Sequence, residues 1–267
     1  MLLAVEIDNS RINFGLFDQH TEELIQRFEI TTDIRKTSDE YAVTVAAIIE
    51  YYGIDEKKVS GAVVASVVPQ LTDTVKQAIT KLFGSIQTVM VGKGIKTGFL
   101  IKVDNPSELG TDLVANAAAV IDILNKENIS KSPCVIIDMG TATTIFAVNS
   151  NGEYIGGSIM AGVGMSLEAL HGKTALLPNV SLAATARAIG KNSQESVRSG
   201  VVLGNAFMLD GFIDKFADEM KCGDSVEVFA TGEYAEEIIG YCTHKIRYVK
   251  DLTLNGLLCI YKNNIKA

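Results

Sequence analysis

Two stretches of the chain repeat one plan. VEIDNSRINFGLF, from Val5, and IDMGTATTIFAVN, from Ile137, each read as an apolar strand, a carboxylate, a short polar turn and a second strand. An offset of 132 residues places Glu6 on Asp138, Asp8 on Gly140, Asn9 on Thr141 and Phe14 on Phe146. That offset is close to half of the 267 residues. The repeat therefore predicts an internal duplication, with similar α/β halves at 1–117 and 118–267, each opening on a β-hairpin. Two such halves facing each other would bring two polar turns to one cleft.

The rest of the chain fits an α/β class. Strand-like runs such as GAVVASVV, TVMVG, CVIIDM, EYIGGSI and VEVFATG are separated by helical patterns. The helical patterns include SDEYAVTVAAIIEYYG, PQLTDTVKQAITKLFG, SELGTDLVANAAAVIDILNKEN and YAEEIIGYC. Strands alternating with helices imply buried sheet covered by helices. The sharpest change of composition is KENISKSPC at 126–134, near the middle.

Composition narrows the partners. The net charge is −8 and the pI about 5.0, which argues against a nucleic-acid surface, since that needs a basic face. Four scattered cysteines and three distant histidines lack zinc-ligand spacing. The start MLLAVEIDNS is short and acidic for a signal peptide, and no apolar run reaches the length of a membrane span. The expectation is a cytoplasmic protein with no membrane partner. An acidic protein that binds phosphates must do so locally, with backbone N–H groups and a bound cation.

The turns suit such a task. At Gly140 a phosphate can approach the backbone closely, and Thr141, Thr143 and Thr144 add hydroxyls. Asp138 has the sign to hold a cation. In DNPSELGTDLVANAAAV, Asn105-Pro106-Ser107-Glu108 reads as a helix start, followed by an apolar stripe at Leu109, Leu113, Ala117, Val120 and Leu124. Glu108 and Asp112 stand one turn apart, and paired carboxylates shielded from water raise each other's proton affinity. A carboxylate tuned in this way can take a proton from an attacking hydroxyl; a solvated acidic helix face is the plainer alternative. Glycines at 156, 157, 162, 164 and 172 imply close backbone approach to a ligand or to another element. FATGEYAEEI reads as a strand feeding a helix through a turn at Thr231 and Gly232, the edge where α/β sheets place ligands.

Taken together, NPSELGTD, IIDMGTATT, YIGGSIMAGVGMSLEALHGKTALLP, AIGKNSQESVRSG, ATGEY and DLTLNGL resemble type III pantothenate kinases in order and spacing, over nearly the whole chain. The resemblance implies a duplicated ribonuclease-H-like, actin-like fold of the superfamily that holds acetate and sugar kinases, heat-shock cognate proteins and actin. It implies a homodimer with active sites near the subunit interface. It also implies ATP-dependent phosphorylation of pantothenate to 4'-phosphopantothenate, the first step to coenzyme A, with Mg2+ and a monovalent cation, K+ or NH4+. Asp112 would be the general base, in a substrate loop of Gly110, Thr111, Asp112 and Leu113, with Val103 and Ser193 also at the substrate. Glu6, Asp8, Asn9, Ser10 and Asn13 would meet ATP from the first turn, and Gly140, Thr141, Thr231 and Gly232 from the second half. Asp138 would bind the monovalent cation.

Several positions depart from the family pattern. The family has Asp at Glu6, Gly at Asp8, Arg at Leu113, Tyr at Val103, Thr at Ser193, Pro at Ala161 and a second Gly at Glu233. Loss of a charged donor beside the base costs about 1.5–3 kcal/mol where the contact is buried. Asp8 either rebuilds a metal site or leaves a phosphate turn without its purpose. The same departures also suit a weak or non-catalytic paralogue that pairs with an active subunit or regulates by binding ligand. They suit, too, a kinase with a different small hydroxyl acceptor.

Overall fold

A computed structural model describes residues 1–182 and 187–265. In chain order it holds β1 (Leu2–Ile7), β2 (Arg11–Phe17), β3 (Leu24–Thr31), α1 (Ser38–Tyr51), β4 (Gly61–Ser66), α2 (Pro69–Phe83) and β5 (Gln87–Met90). Then follow β6 (Leu100–Ile101), α3 (Thr111–Lys126), β7 (Cys134–Met139), β8 (Ala142–Val148), β9 (Glu153–Ala161), α4 (Val163–Gly172) and α5 (Ser193–Met220). The chain ends with β10 (Glu227–Thr231), α6 (Ala235–Ile239), β11 (Arg247–Tyr248) and α7 (Leu252–Asn264).

Two compact units result. One holds 1–99, 104–122 and 252–267; the other holds 100–103 and 123–251. Neither is a continuous half. The terminal helix α7, expected within 118–267, packs in the first unit instead. Its residues Leu252, Leu254, Leu257, Leu258 and Ile260 are buried there, which a cut at one point in sequence cannot represent.

The duplication is plain in the sheets. The first runs β3-β2-β1-β4-β5 and the second runs β9-β8-β7-β10-β11, with β6 added beside β9. In each, the first strand pairs antiparallel with the second and parallel with the fourth. In the first unit Leu3, Val5, Ile7, Phe14 and Leu16 bury one sheet face under α1 and α2. Local chemistry starts these helices: Thr37 and Glu40 form a capping box before α1, and Pro69 opens α2. In the second unit Val135, Ile137, Met139 and Ile145 bury the matching face under α4, α5 and α6.

The constant offset of 132 holds only up to the turn. Three residues, Asp8 to Ser10, link β1 to β2, whereas two, Gly140 and Thr141, link β7 to β8. Val5 pairs with Phe14, but Ile137 pairs with Ile145. Phe14 therefore corresponds to Ile145, not to Phe146. A one-residue slip turns a strand residue to the other face. Phe14 stacks on Phe28 in the helix-covered core, with ring centroids 4.8 Å apart, while Phe146 packs on Tyr154 behind the second sheet.

Candidate active site

The first hairpin presents Glu6 and Asn13 as a cross-strand pair. Asn13 Nδ2 donates to Glu6 Oε2 at 3.0 Å, and Arg27 Nη2 donates to Asn13 Oδ1 at 3.4 Å. Arg27 and Arg11 both pair with Glu29, so the negative turn is backed by an ion network on β2 and β3. The turn itself is tied down: Asp8 N–H donates to the Arg11 carbonyl at 3.0 Å and Thr32 Oγ1 donates to the Asp8 carbonyl at 2.6 Å. Asn9 and Ser10 are exposed at its tip. Arg27 was not among the residues picked out from sequence; it lies 14 residues from Asn13 and no local pattern ties the two together.

The segment before α3 differs from its sequence reading. Asn105 does cap, accepting from Ser107 N–H, but it caps a 3-10 turn, Pro106–Glu108, which ends on an extended Leu109. The α-helix begins afresh at Thr111, with Val114 N–H donating to the Gly110 carbonyl. Glu108 therefore shares no helix with Asp112. Its carboxylate is turned back to Asn105 Nδ2, at 2.6 Å. The carboxylate that Asp112 senses is Asp8. Burial first, and the Asp8 charge second, push the Asp112 carboxyl above the usual carboxylate range, while the N–H groups of Leu113 and Asp112 hold it down in part. Asp112 Oδ1 and Thr111 Oγ1 are both buried without a hydrogen-bond partner in the protein. Leu113 is 8% exposed and sits in the packed stripe with Ala117, Val120 and Leu124.

In the second unit Asp138 faces Thr144 across the hairpin, the place that Glu6 and Asn13 hold in the first. The hydroxyls of Thr143 and Thr144 are buried and unpartnered. Backbone crowds the turn between them. A Cβ on Gly162 would overlap the Thr141 carbonyl, and one on Gly232, at φ +100°, would fall 2.5 Å from the Met139 carbonyl carbon. The glycines thus admit another element rather than leave open space. A Cβ at Gly140 would meet Asp138 Oδ1 at 3.5 Å. Thr231 is buried and its hydroxyl donates to the Lys250 carbonyl at 3.4 Å. Ser193 is the exposed first residue of α5, after the Asn192 cap. Val103 is half-buried in the loop beyond β6.

These donors are all oxygen, which suits hard cations. Among the described residues no three His, Cys, Asp or Glu side chains gather as a metal centre. Asp138 with the orphaned Thr144 hydroxyl fits a monovalent cation of modest charge demand. None of the described helices is long and apolar enough to cross a membrane.

Comparison with known proteins agrees with this architecture. A type III pantothenate kinase from Moorella thermoacetica is 38% identical over 265 residues, 99% of this chain and 100% of the relative. Among solved structures, a candidate Baf family transcriptional activator from Campylobacter jejuni matches with a TM-score of 0.62 at 18% identity, covering 98% of each chain. A candidate sugar kinase from Cytophaga hutchinsonii matches with a TM-score of 0.50 at 12% identity, covering 98% of this chain and 99% of that one. At such identities the two structures speak for the fold alone, the duplicated ribonuclease-H-like fold. The family described as type III pantothenate kinase matches residues 2–215, and with the full-length relative this places the chain in the type III pantothenate kinase family.

Proposed function

We propose that this chain phosphorylates pantothenate with ATP to give 4'-phosphopantothenate, the first step of coenzyme A biosynthesis. One observation carries the residue assignment. Asp112 has a buried carboxylate oxygen with no protein partner and a raised proton affinity, at the start of a well-packed helix. An unsatisfied buried acceptor is costly unless something else meets it. A substrate hydroxyl meets that need.

Asp112 Oδ1 takes the proton of the pantothenate hydroxyl as its oxygen attacks the γ-phosphorus. The bond from that phosphorus to the β–γ bridging oxygen breaks in line, and ADP leaves. Phosphoryl transfer of this kind depends on positioning and charge neutralisation more than on covalent chemistry. Thr111, with its orphaned hydroxyl, and Gly110 flank the acceptor, and Val103, Leu113 and Ser193 are further substrate-binding residues. Glu6, Asp8, Asn9, Ser10 and Asn13, together with Gly140, Thr141, Thr231 and Gly232, serve ATP. Mg2+ would supply neutralisation of phosphate charge, and Asp138 would hold K+ or NH4+, which would supply a fixed positive charge. We infer a homodimer, or a pair with a paralogous chain, in the cytoplasm.

The test is a turnover assay on the purified chain with ATP, Mg2+, K+ or NH4+ and pantothenate, reading phosphopantothenate. Wild type turns over, and Asp112→Asn loses turnover while still binding ATP. Full activity in Asp112→Asn removes the base assignment. No turnover alone, but turnover on mixing with a second family member, replaces the single-chain reading with the paired one.

A further inference from the structure

The C-terminal segment DLTLNGL begins 139 residues after Asp112 in sequence, yet its helix α7 lies between β1, which leads into Asp8, and α3, which carries Asp112. On one side α7 packs on β1 and β4. Tyr261 covers Gly61 so closely that a Cβ there would overlap its hydroxyl, and Leu254 lies 3.1 Å from where a Cβ on Gly15 would stand. This is the sheet face opposite α1 and α2, the face that Glu6 and Asn13 share. On the other side α7 meets α3. A Cβ on Gly256 would overlap the Ala115 carbonyl, so the two helix backbones touch without a side chain between them. Thr253 Oγ1 donates to Asn116 Oδ1 at 2.8 Å, and both side chains are buried.

Asn116 is one helical turn beyond Asp112, on the same side of α3. β1 leads directly into Asp8. The helix that grips α3 behind Asp112 is therefore the helix that seats on the strand ending at Asp8. We propose that Thr253 and Gly256 are positioning residues for the reaction: α7 fixes where α3 presents the Asp112 carboxylate. The inference rests on the reading of Asp112 as the base. Rates fall steeply with misplacement, about 10²-fold for 1 Å, so the glycine contact and the buried hydrogen bond that join α3 to α7 are a sensitive point.

The experiment compares Thr253→Val, Thr253→Ser and Gly256→Ala with wild type, with Asp112→Asn as control. ATP-binding stoichiometry counts the folded sites in each. Thr253→Val keeps the shape and loses the donor; we expect kcat per ATP-binding site about tenfold lower, with KM for both substrates within about twofold. Thr253→Ser restores kcat. Gly256→Ala lowers kcat by about 100-fold where it folds; Thr253→Val carries the test where it does not. Wild-type kcat per site in Thr253→Val, or a Thr253→Ser as impaired as Thr253→Val, overturns the proposal. Retained activity in Asp112→Asn overturns the base assignment instead, which separates the two failures.

Discussion

Asp8 stands close enough to Asp112 for its charge to raise the proton affinity of the Asp112 carboxyl, although 104 residues separate them in sequence. A general base must be ionised to work. The acid limb of the kcat profile should therefore lie above the ordinary aspartate value of about 3.9. Asp8→Asn removes the repulsion and should move that limb to lower pH. Burial is the larger cause, so the limb should remain above the ordinary value in the variant. A limb unmoved by Asp8→Asn, measured with both substrates saturating, would dissociate the two carboxylates.

The same group sets a stability term with a definite sign. The folded carboxyl holds its proton more tightly than the unfolded one, so the folded state loses stability as pH rises from the unfolded value through the raised one. Above that window the cost of a buried charge is fully present; below about pH 3.9 it is gone. Asp112→Asn carries no such charge. Its melting temperature should exceed wild type at pH 7, and the gap should close as the pH is lowered to 4 and below. Equal gaps at both ends of the range would refute the assignment of burial as the cause.

Thr144 offers a trade between stability and binding. Its hydroxyl is buried without a partner, opposite Asp138. Thr144→Val removes an unsatisfied polar group and should stabilise the ligand-free protein by about 1 kcal/mol or somewhat more. The same change should weaken ATP binding and blunt activation by K+ or NH4+. Asp138→Ala, which removes a charged acceptor, should raise the Kd for ATP by about 10- to 100-fold. Calorimetric titration with ATP, and thermal melts without it, read both effects. Unchanged ATP affinity in Asp138→Ala would take the second hairpin out of the site.

Much of this arrangement is legible in the sequence. β1, β2 and β7 fall on the runs LLAVEI, RINFGLF and CVIIDM, because a short apolar run closed by a polar turn has few other fates. What failed has physical reasons. Phe14 and Phe146 looked equivalent because residue type repeats, but hairpin register is set by turn length, and one turn is a residue shorter. Glu108 and Asp112 had helical spacing, but the extended Leu109 breaks the helix between them. Helix α5 has no plain sequence signature because Gly200, Gly204, Gly211 and an exposed Phe207 dilute its stripe of Val197, Val201, Leu209 and Ile213. The Asp8–Asp112 proximity and the return of α7 to the first unit are products of tertiary packing, which no local pattern encodes.

The crowding at the second turn gives a final prediction. Gly162 ends β9's run into α4 and lies against the Gly140 and Thr141 carbonyls. Its φ is −65°, so alanine there is tolerated by the backbone itself. The cost is purely one of space. A methyl group must displace the turn, because the atoms it meets are carbonyl groups rather than a flexible side chain. Overpacking of this kind costs about 1–3 kcal/mol, and the displaced turn carries Gly140 and Thr141. Gly162→Ala should thus lower the melting temperature and weaken ATP binding together. Gly172→Ala, at the far end of α4 with open space around it, should do neither. Equal behaviour of the two variants in melts and ATP titrations would show that the turn yields freely and that its close packing does not shape the nucleotide site.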